Sequence, residues 1–106
     1  MAGNTRKISE NKLKYSEYKK LSFTDKPVSY IIGSKKGTPF ISLSTLFFSS
    51  EECEIRFNND NKETDWEVFH KEVYYERYRK IFKVTVRRHG NMDGILEIWA
   101  EGKLAR

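Results

Sequence analysis

The sequence predicts an α+β domain: one antiparallel sheet of about five strands, a main helix over 65–79 packed on one face, and a short N-terminal helix near 9–20. Three observations predict it. Apolar residues alternate with polar ones in five separate stretches between Val28 and Ala100. Thr64-Asp65-Trp66-Glu67 has the form of a capping box and is followed by an apolar stripe at helical spacing. Glycine- and asparagine-rich breaks separate the stretches.

The elements follow in order. Residues 1–7 read as a basic, flexible tail. Tyr15, Tyr18 and Leu21 recur every third residue, and this favours the short helix, with Ser9 as its cap. Val28, Tyr30 and Ile32 begin the first strand. Gly33-Ser34-Lys35-Lys36-Gly37 is the turn after it, because glycines reach positive φ without strain. Phe40 to Phe48 is the second strand, and Cys53, Ile55 and Phe57 mark the third, with Glu54 and Arg56 pointing away. Residues 58–62 form a loop.

In the helix at 65–79, Trp66, Phe69, Val73 and Tyr74 share one stripe. Glu67–Lys71 and Glu76–Lys80 are four residues apart in the favourable orientation. Ile81 to Arg88 is a strand that sets Phe82, Val84 and Val86 against Lys83, Thr85 and Arg87. A turn at Gly90–Gly94 leads to the last strand, where Leu96, Ile98 and Ala100 oppose Glu97 and Trp99. Residues 102–106 read as a frayed basic tail.

The 106 residues form a single domain by length. Aromatics at 14% supply core volume to a chain that is 33% charged. Cys53 is the one cysteine; its place in an alternating strand makes it a small buried hydrophobe, and an intrachain disulfide and a cysteine zinc cluster are both excluded. No signal-peptide pattern and no long apolar run is present, so the expected location is the cytoplasm, or the nucleus in a eukaryotic or viral setting, with no membrane partner.

The net charge of +5 conceals an uneven distribution. Residues 1–36 hold nine Lys/Arg and three acids, residues 37–76 three and nine, and residues 77–106 eight and three. Two basic ends therefore flank an acidic middle, and local fields of this kind select partners.

No catalytic motif, nucleotide loop or metal-ligand spacing is present. His70 and His89 stand 19 apart with no matched ligands, and no cofactor is expected. The suggestive feature is a run of basic and aromatic residues from Val73 to His89. Cations neutralise phosphates, and aromatic rings stack on unpaired bases. The expected function is binding of nucleic acid, single-stranded DNA or RNA above all. Its expected site residues are Lys35, Lys36, Arg77, Arg79, Lys83, Arg87, Arg88 and Trp99. A sheet face carrying Lys83, Arg87 and Trp99, with Glu97 and Trp99 as cross-strand neighbours of the basic row, would form the platform.

A second class is a protein-binding inhibitor or accessory factor, of the kind a phage or mobile element encodes, docking on a nucleic-acid enzyme. The segregated charge is its feature. A third is a small metal-free ribonuclease using His89, Arg87 and a tyrosine. An open sheet edge or the Phe40–Phe48 patch would also serve a homodimer.

Overall fold

The computed structural model describes residues 15–34, 37–58 and 66–104, the side chains of Tyr15, Lys103 and Leu104 apart. Eight strands form: β1 (Tyr15–Phe23), β2 (Val28–Ile31), β3 (Phe40–Ser49), β4 (Cys53–Phe57), β5 (Glu67–Phe69), β6 (Tyr74–Arg77), β7 (Lys83–Arg88) and β8 (Gly94–Leu104). They make two four-stranded sheets, β1-β8-β3-β6 and β2-β7-β4-β5, with every pairing antiparallel.

The pairings β1:β8, β2:β7, β3:β6 and β4:β5 are nested. The chain is thus one long hairpin, tipped between β4 and β5, rolled into two facing sheets. This is the strand order of a double-sheet jelly roll. The fold carries no function by itself.

The core lies between the sheets and is built from the alternation that the sequence displays. Leu21 and Phe23 of β1, Phe47 of β3, and Leu96, Ile98 and Ala100 of β8 point inward from one sheet. Tyr30, Cys53, Ile55, Phe57, Phe69, Val84 and Val86 point inward from the other. Phe47 touches Phe57 and Phe69 with centroids 5.7 and 5.4 Å apart, and Phe69 stacks on Tyr75 at 4.2 Å. Aromatic contacts of this geometry add about 0.5–1.5 kcal/mol each beyond the area they bury.

The sheets are stitched at their corners. Ser42 and Ile81 exchange backbone hydrogen bonds of 2.7 and 2.9 Å. The Thr38 amide donates to the Gly33 carbonyl across the β2–β3 turn. Gly33 there has φ of 90°, which a side chain would strain.

The single sheet with a main helix is corrected by this architecture, and no α-helix occurs among the described residues. Where a helix over 65–79 is expected, β5 and β6 form, joined by a turn at His70–Val73. Glu72 sits at φ of 59° in that turn, and its amide donates to the Ser49 carbonyl. The cause is tertiary. The segment is rich in Trp, Val, Phe and Tyr, which suit strands, and the free edges of β3 and β4 offer whole ladders. The i,i+4 pairs dissolve accordingly, and Glu67 instead pairs with Arg77 from the next strand. Thr64 and Asp65, the start of the capping box, lie outside the described residues.

The short helix near 9–20 is corrected too. Residues 15–20 belong to β1, and 9–14 lie outside the described residues. Strand alternation is hidden there because Glu17 and Lys19, two charged residues, occupy the core side. The expected tail at 102–106 is corrected over 102–104, which belong to β8: Gly102 is buried and pairs with Tyr15 and Ser42, and 105 and 106 lie outside the described residues. No helix among the described residues is long and apolar enough to cross a membrane.

Candidate functional site

With the inward residues spent on the core, chemistry on the described surface falls to the two outer sheet faces. On the β1-β8-β3-β6 face the register sets Tyr18 beside Trp99, Trp99 beside Leu46, and Leu46 beside Glu76. The next row is Lys20, Glu97, Phe48 and Tyr74. All eight alternate with buried or core-side neighbours, so they project to solvent.

Four of these side chains are rings in mutual contact. Tyr18 and Trp99 have centroids 5.1 Å apart, Trp99 and Tyr74 6.2 Å, and Tyr74 and Phe48 4.6 Å. The group crosses all four strands. Tyr74 is 62% exposed and Tyr18 38%, which is unusual for rings with so many apolar neighbours. Ile95, 41% exposed, extends the apolar surface.

Carboxylates border the rings. The Tyr18 hydroxyl donates to Glu97 Oε1 at 2.5 Å, and the Tyr78 hydroxyl to Glu76 Oε2 at 2.8 Å. The bond to Glu97, then desolvation and the carboxylate's charge, push the Tyr18 phenol up to about 12. Glu76 likewise raises the Tyr78 phenol. A shallow cleft runs along Tyr18 and Trp99, with Ser16 and Glu101 at its sides.

The β2-β7-β4-β5 face is different in kind. Arg56 and Arg87 both lie against the Trp66 ring, 4.4 and 4.1 Å from its centroid. Arg87 Nε also donates to Glu54 Oε1 at 2.7 Å, and His89 Nδ1 stands 2.7 Å from Glu54 Oε2. Burial alone would raise the Glu54 carboxyl, but the hydrogen bonds from His89 and Arg87, with their charge, outweigh it and hold it below its ordinary value. Beside this ladder the Ser29 and Thr85 hydroxyls bond each other at 2.8 Å, and Lys83 closes the strand end. A further pair, His70 Nδ1 and Glu52 Oε2, stands 3.1 Å apart.

The sequence-derived site residues are thus dispersed. Lys83 and Arg87 share β7 in the β2-β7-β4-β5 sheet, Lys83 paired with Ile31 and Arg87 with Glu54, while Ser29 and Arg56 flank Thr85 between them. Trp99 and Glu97 are on the opposite sheet, so the platform of Lys83, Arg87 and Trp99 is not assembled. Arg77 ion-pairs with Glu67 and covers the Phe69 and Tyr75 rings. Arg79 lies over Phe57. Arg88 pairs with Asp93 at 2.9 Å. Lys35 and Lys36 lie outside the described residues. His89 and Arg87, two of the three groups of the ribonuclease reading, meet on Glu54. The described residues contain no group of three or more His, Cys, Asp or Glu that would hold a metal ion.

Sequence reasoning missed Tyr18, Phe48 and Tyr74 as one surface, and missed Trp66 and Arg56 as the partners of Arg87. The signal for Tyr18 was the outward set Ser16, Tyr18, Lys20, Ser22, masked by the charge at Glu17. For Tyr74 and Trp66 no local signal existed, because a helical reading of 65–79 sends them to the core. Comparison with protein-family models, with curated proteins and with solved structures finds no match to this chain.

Proposed function

We propose that the protein is a binding module that docks on a protein partner through the outer face of β1-β8-β3-β6. The observation that carries this reading is the cluster of Tyr18, Trp99, Tyr74 and Phe48 on the solvent side of a sheet whose other side already fills the core. Tyr, Trp and Phe are enriched at protein interfaces, where they bury large area at low entropic cost. A ring cluster that spans four strands of a rigid sandwich is held in place before a partner arrives, which lowers the cost of binding.

The test is a comparison of complexes formed by the wild type and by Trp99→Ser/Tyr74→Ser. Both substitutions are on the outer face and spare the core. The expected result is a stoichiometric, nuclease-resistant complex that the double variant loses while its unfolding midpoint stays close to that of the wild type. A complex retained by the double variant would overturn the reading.

A second reading, nucleic-acid binding, draws support from the other face. Arg56 and Arg87 lie against Trp66 there, with Lys83 at the far end of the same strand as Arg87, and guanidinium groups bind phosphate and stack on bases. It predicts binding to short single-stranded oligonucleotides that weakens log-linearly with salt and is lost on Lys83→Glu/Arg87→Glu. Binding that is absent even at low salt would sink it.

A further inference from the structure

The charges around the ring cluster narrow the partner. Among the described side chains on this face, Glu76, Glu97 and Glu101 stand against one cation, Lys20. That is the reverse of the chain as a whole, which carries +5. A nucleic acid would stack on the rings but meet three carboxylates with its phosphates, and a second copy docked face to face would set this acidic group against itself. A neutral sugar brings acceptors as well as donors, whereas ionised carboxylates only accept.

A guanidinium fits all of this. It has five N–H donors and no acceptor, it is charged at all working pH values, and it stacks flat on aromatic rings. Ring faces carry negative potential, so a cation over Trp or Tyr is attracted by the ring and by the carboxylates together. The cleft along Tyr18 and Trp99, with Glu101 on its border and Glu97 bonded to the Tyr18 hydroxyl, puts rings and acceptors side by side.

We infer that this face takes an arginine-bearing basic segment of its protein partner, with the guanidinium on the Tyr18 and Trp99 rings and its N–H groups on Glu97 and Glu101. The inference rests on the docking reading above and adds the chemistry of the partner to it.

The chain has two tryptophans, one on each outer face, so their indole N–H signals report the faces separately. Isotope-labelled protein is titrated with the peptide Gly-Arg-Ser-Arg-Gly and with its lysine, glutamine and glutamate counterparts, followed by amide and indole resonances. The expected result is that the arginine peptide moves the Trp99 indole and the amides around Tyr18, leaves the Trp66 indole still, and outperforms the lysine peptide. The glutamine and glutamate peptides should produce no shift. Glu97→Gln/Glu101→Gln should weaken arginine-peptide binding roughly tenfold, as the loss of two exposed charge pairs implies. A urea-unfolding midpoint of Glu97→Gln/Glu101→Gln close to that of the wild type serves as a check that the loss tracks charge and not the integrity of the sheet.

A glutamine or glutamate peptide that moves Trp99 as strongly as the arginine peptide overturns the arginine assignment. Shifts at Trp66 in place of Trp99, or no shift at Trp99 with any peptide, overturn it as well. The docking reading is decided separately, by whether the complex survives Trp99→Ser/Tyr74→Ser.

Discussion

The buried carboxylate of Glu17 accepts the Tyr30 hydroxyl at 2.5 Å, joining β1 of one sheet to β2 of the other through the core. Its second oxygen accepts the Gly33 amide, also at 2.5 Å, and so fixes the turn into β3. Lys19 lies over the face of the same Tyr30 ring, 5.1 Å from its centroid. Removing the acceptor from buried donors costs about 1–3 kcal/mol. Glu17→Ala is therefore expected to destabilise the fold by about that amount in urea unfolding, and Glu17→Gln, which keeps one acceptor oxygen, by less. A loss under about 0.5 kcal/mol in the alanine variant, the range of ordinary surface changes, would show that the bridge is not structural.

Gly102 and Gly90 make a contrasting pair. A Cβ at Gly102 would stand 1.8 Å from the Ile41 carbonyl oxygen and 2.7 Å from Ser42 Cα, both backbone atoms of the paired strand. Neither can swing aside without breaking the β3–β8 ladder beside its irregularity at Ser42/Ser44. A Cβ at Gly90 would meet nothing within 4 Å. Gly102→Ala is expected to cost at least the roughly 1–3 kcal/mol of an overpacked core site, with poor recovery of folded protein. Gly90→Ala should remain within about 1 kcal/mol of the wild type. Thermal unfolding of the two variants side by side checks this, and equal midpoints would contradict it.

The Tyr18–Glu97 bond has a signature at alkaline pH. Tyr18 ionises at about 12 in the fold, against 10.0 for an ordinary phenol. A group whose folded pKa is raised contributes fully below its unfolded value, and that contribution is lost as pH rises from about 10 through about 12. Near-ultraviolet titration of the phenols should show late ionisation from Tyr18 and Tyr78, and Glu97→Gln should bring the Tyr18 step back toward 10.0. The same variant removes a proposed guanidinium partner, so titration and peptide binding should change together. A tyrosine titration indifferent to Glu97→Gln would mean that the bond does not form in solution.

Cys53 is buried in β4, and desolvation pushes its thiol up to about 11, with a small opposing effect from Ser49 and a further rise from the Glu54 charge. At about pH 8 roughly one molecule in a thousand would carry the thiolate, and the side chain is in any case out of reach of a bulky reagent. Native protein should therefore react slowly with an aromatic disulfide reagent and rapidly once unfolded in urea. Prompt reaction of the native protein would place Cys53 at the surface.

Much of the strand content was legible before the structure was known. The alternation in 28–32, 53–57 and 83–88 is a property of the pleat, which sends successive side chains to opposite faces, so a half-buried strand writes it into the sequence. In 40–48 the irregularity at Ser42/Ser44 switches the faces, so Phe40 and Phe47, which strict alternation sets on opposite sides, are both buried. The inward set Leu96, Ile98 and Ala100, the outward Trp99 and the burial of Cys53 were all readable from alternation, and the glycines marked the turn that Gly33 and Gly37 bound at positive φ. β1 escaped because Glu17 and Lys19 occupy core-side positions, where only a partner such as Tyr30 makes a charge tolerable.

What only the tertiary structure decided is which strand lies beside which. Residues 66–79 satisfy helical spacing and contain strand-favouring residues at once, and the choice fell to the open edges of β3 and β4, far away in sequence. The same nested pairing sent Lys83 and Arg87 to one sheet and Trp99 to the other, and gathered Tyr18, Phe48, Tyr74 and Trp99 onto one face. Periodicity tells a regular strand such as β4 which of its residues face inward. The neighbour across the ladder is set by hydrogen bonds and packing between distant segments, and no local pattern encodes them.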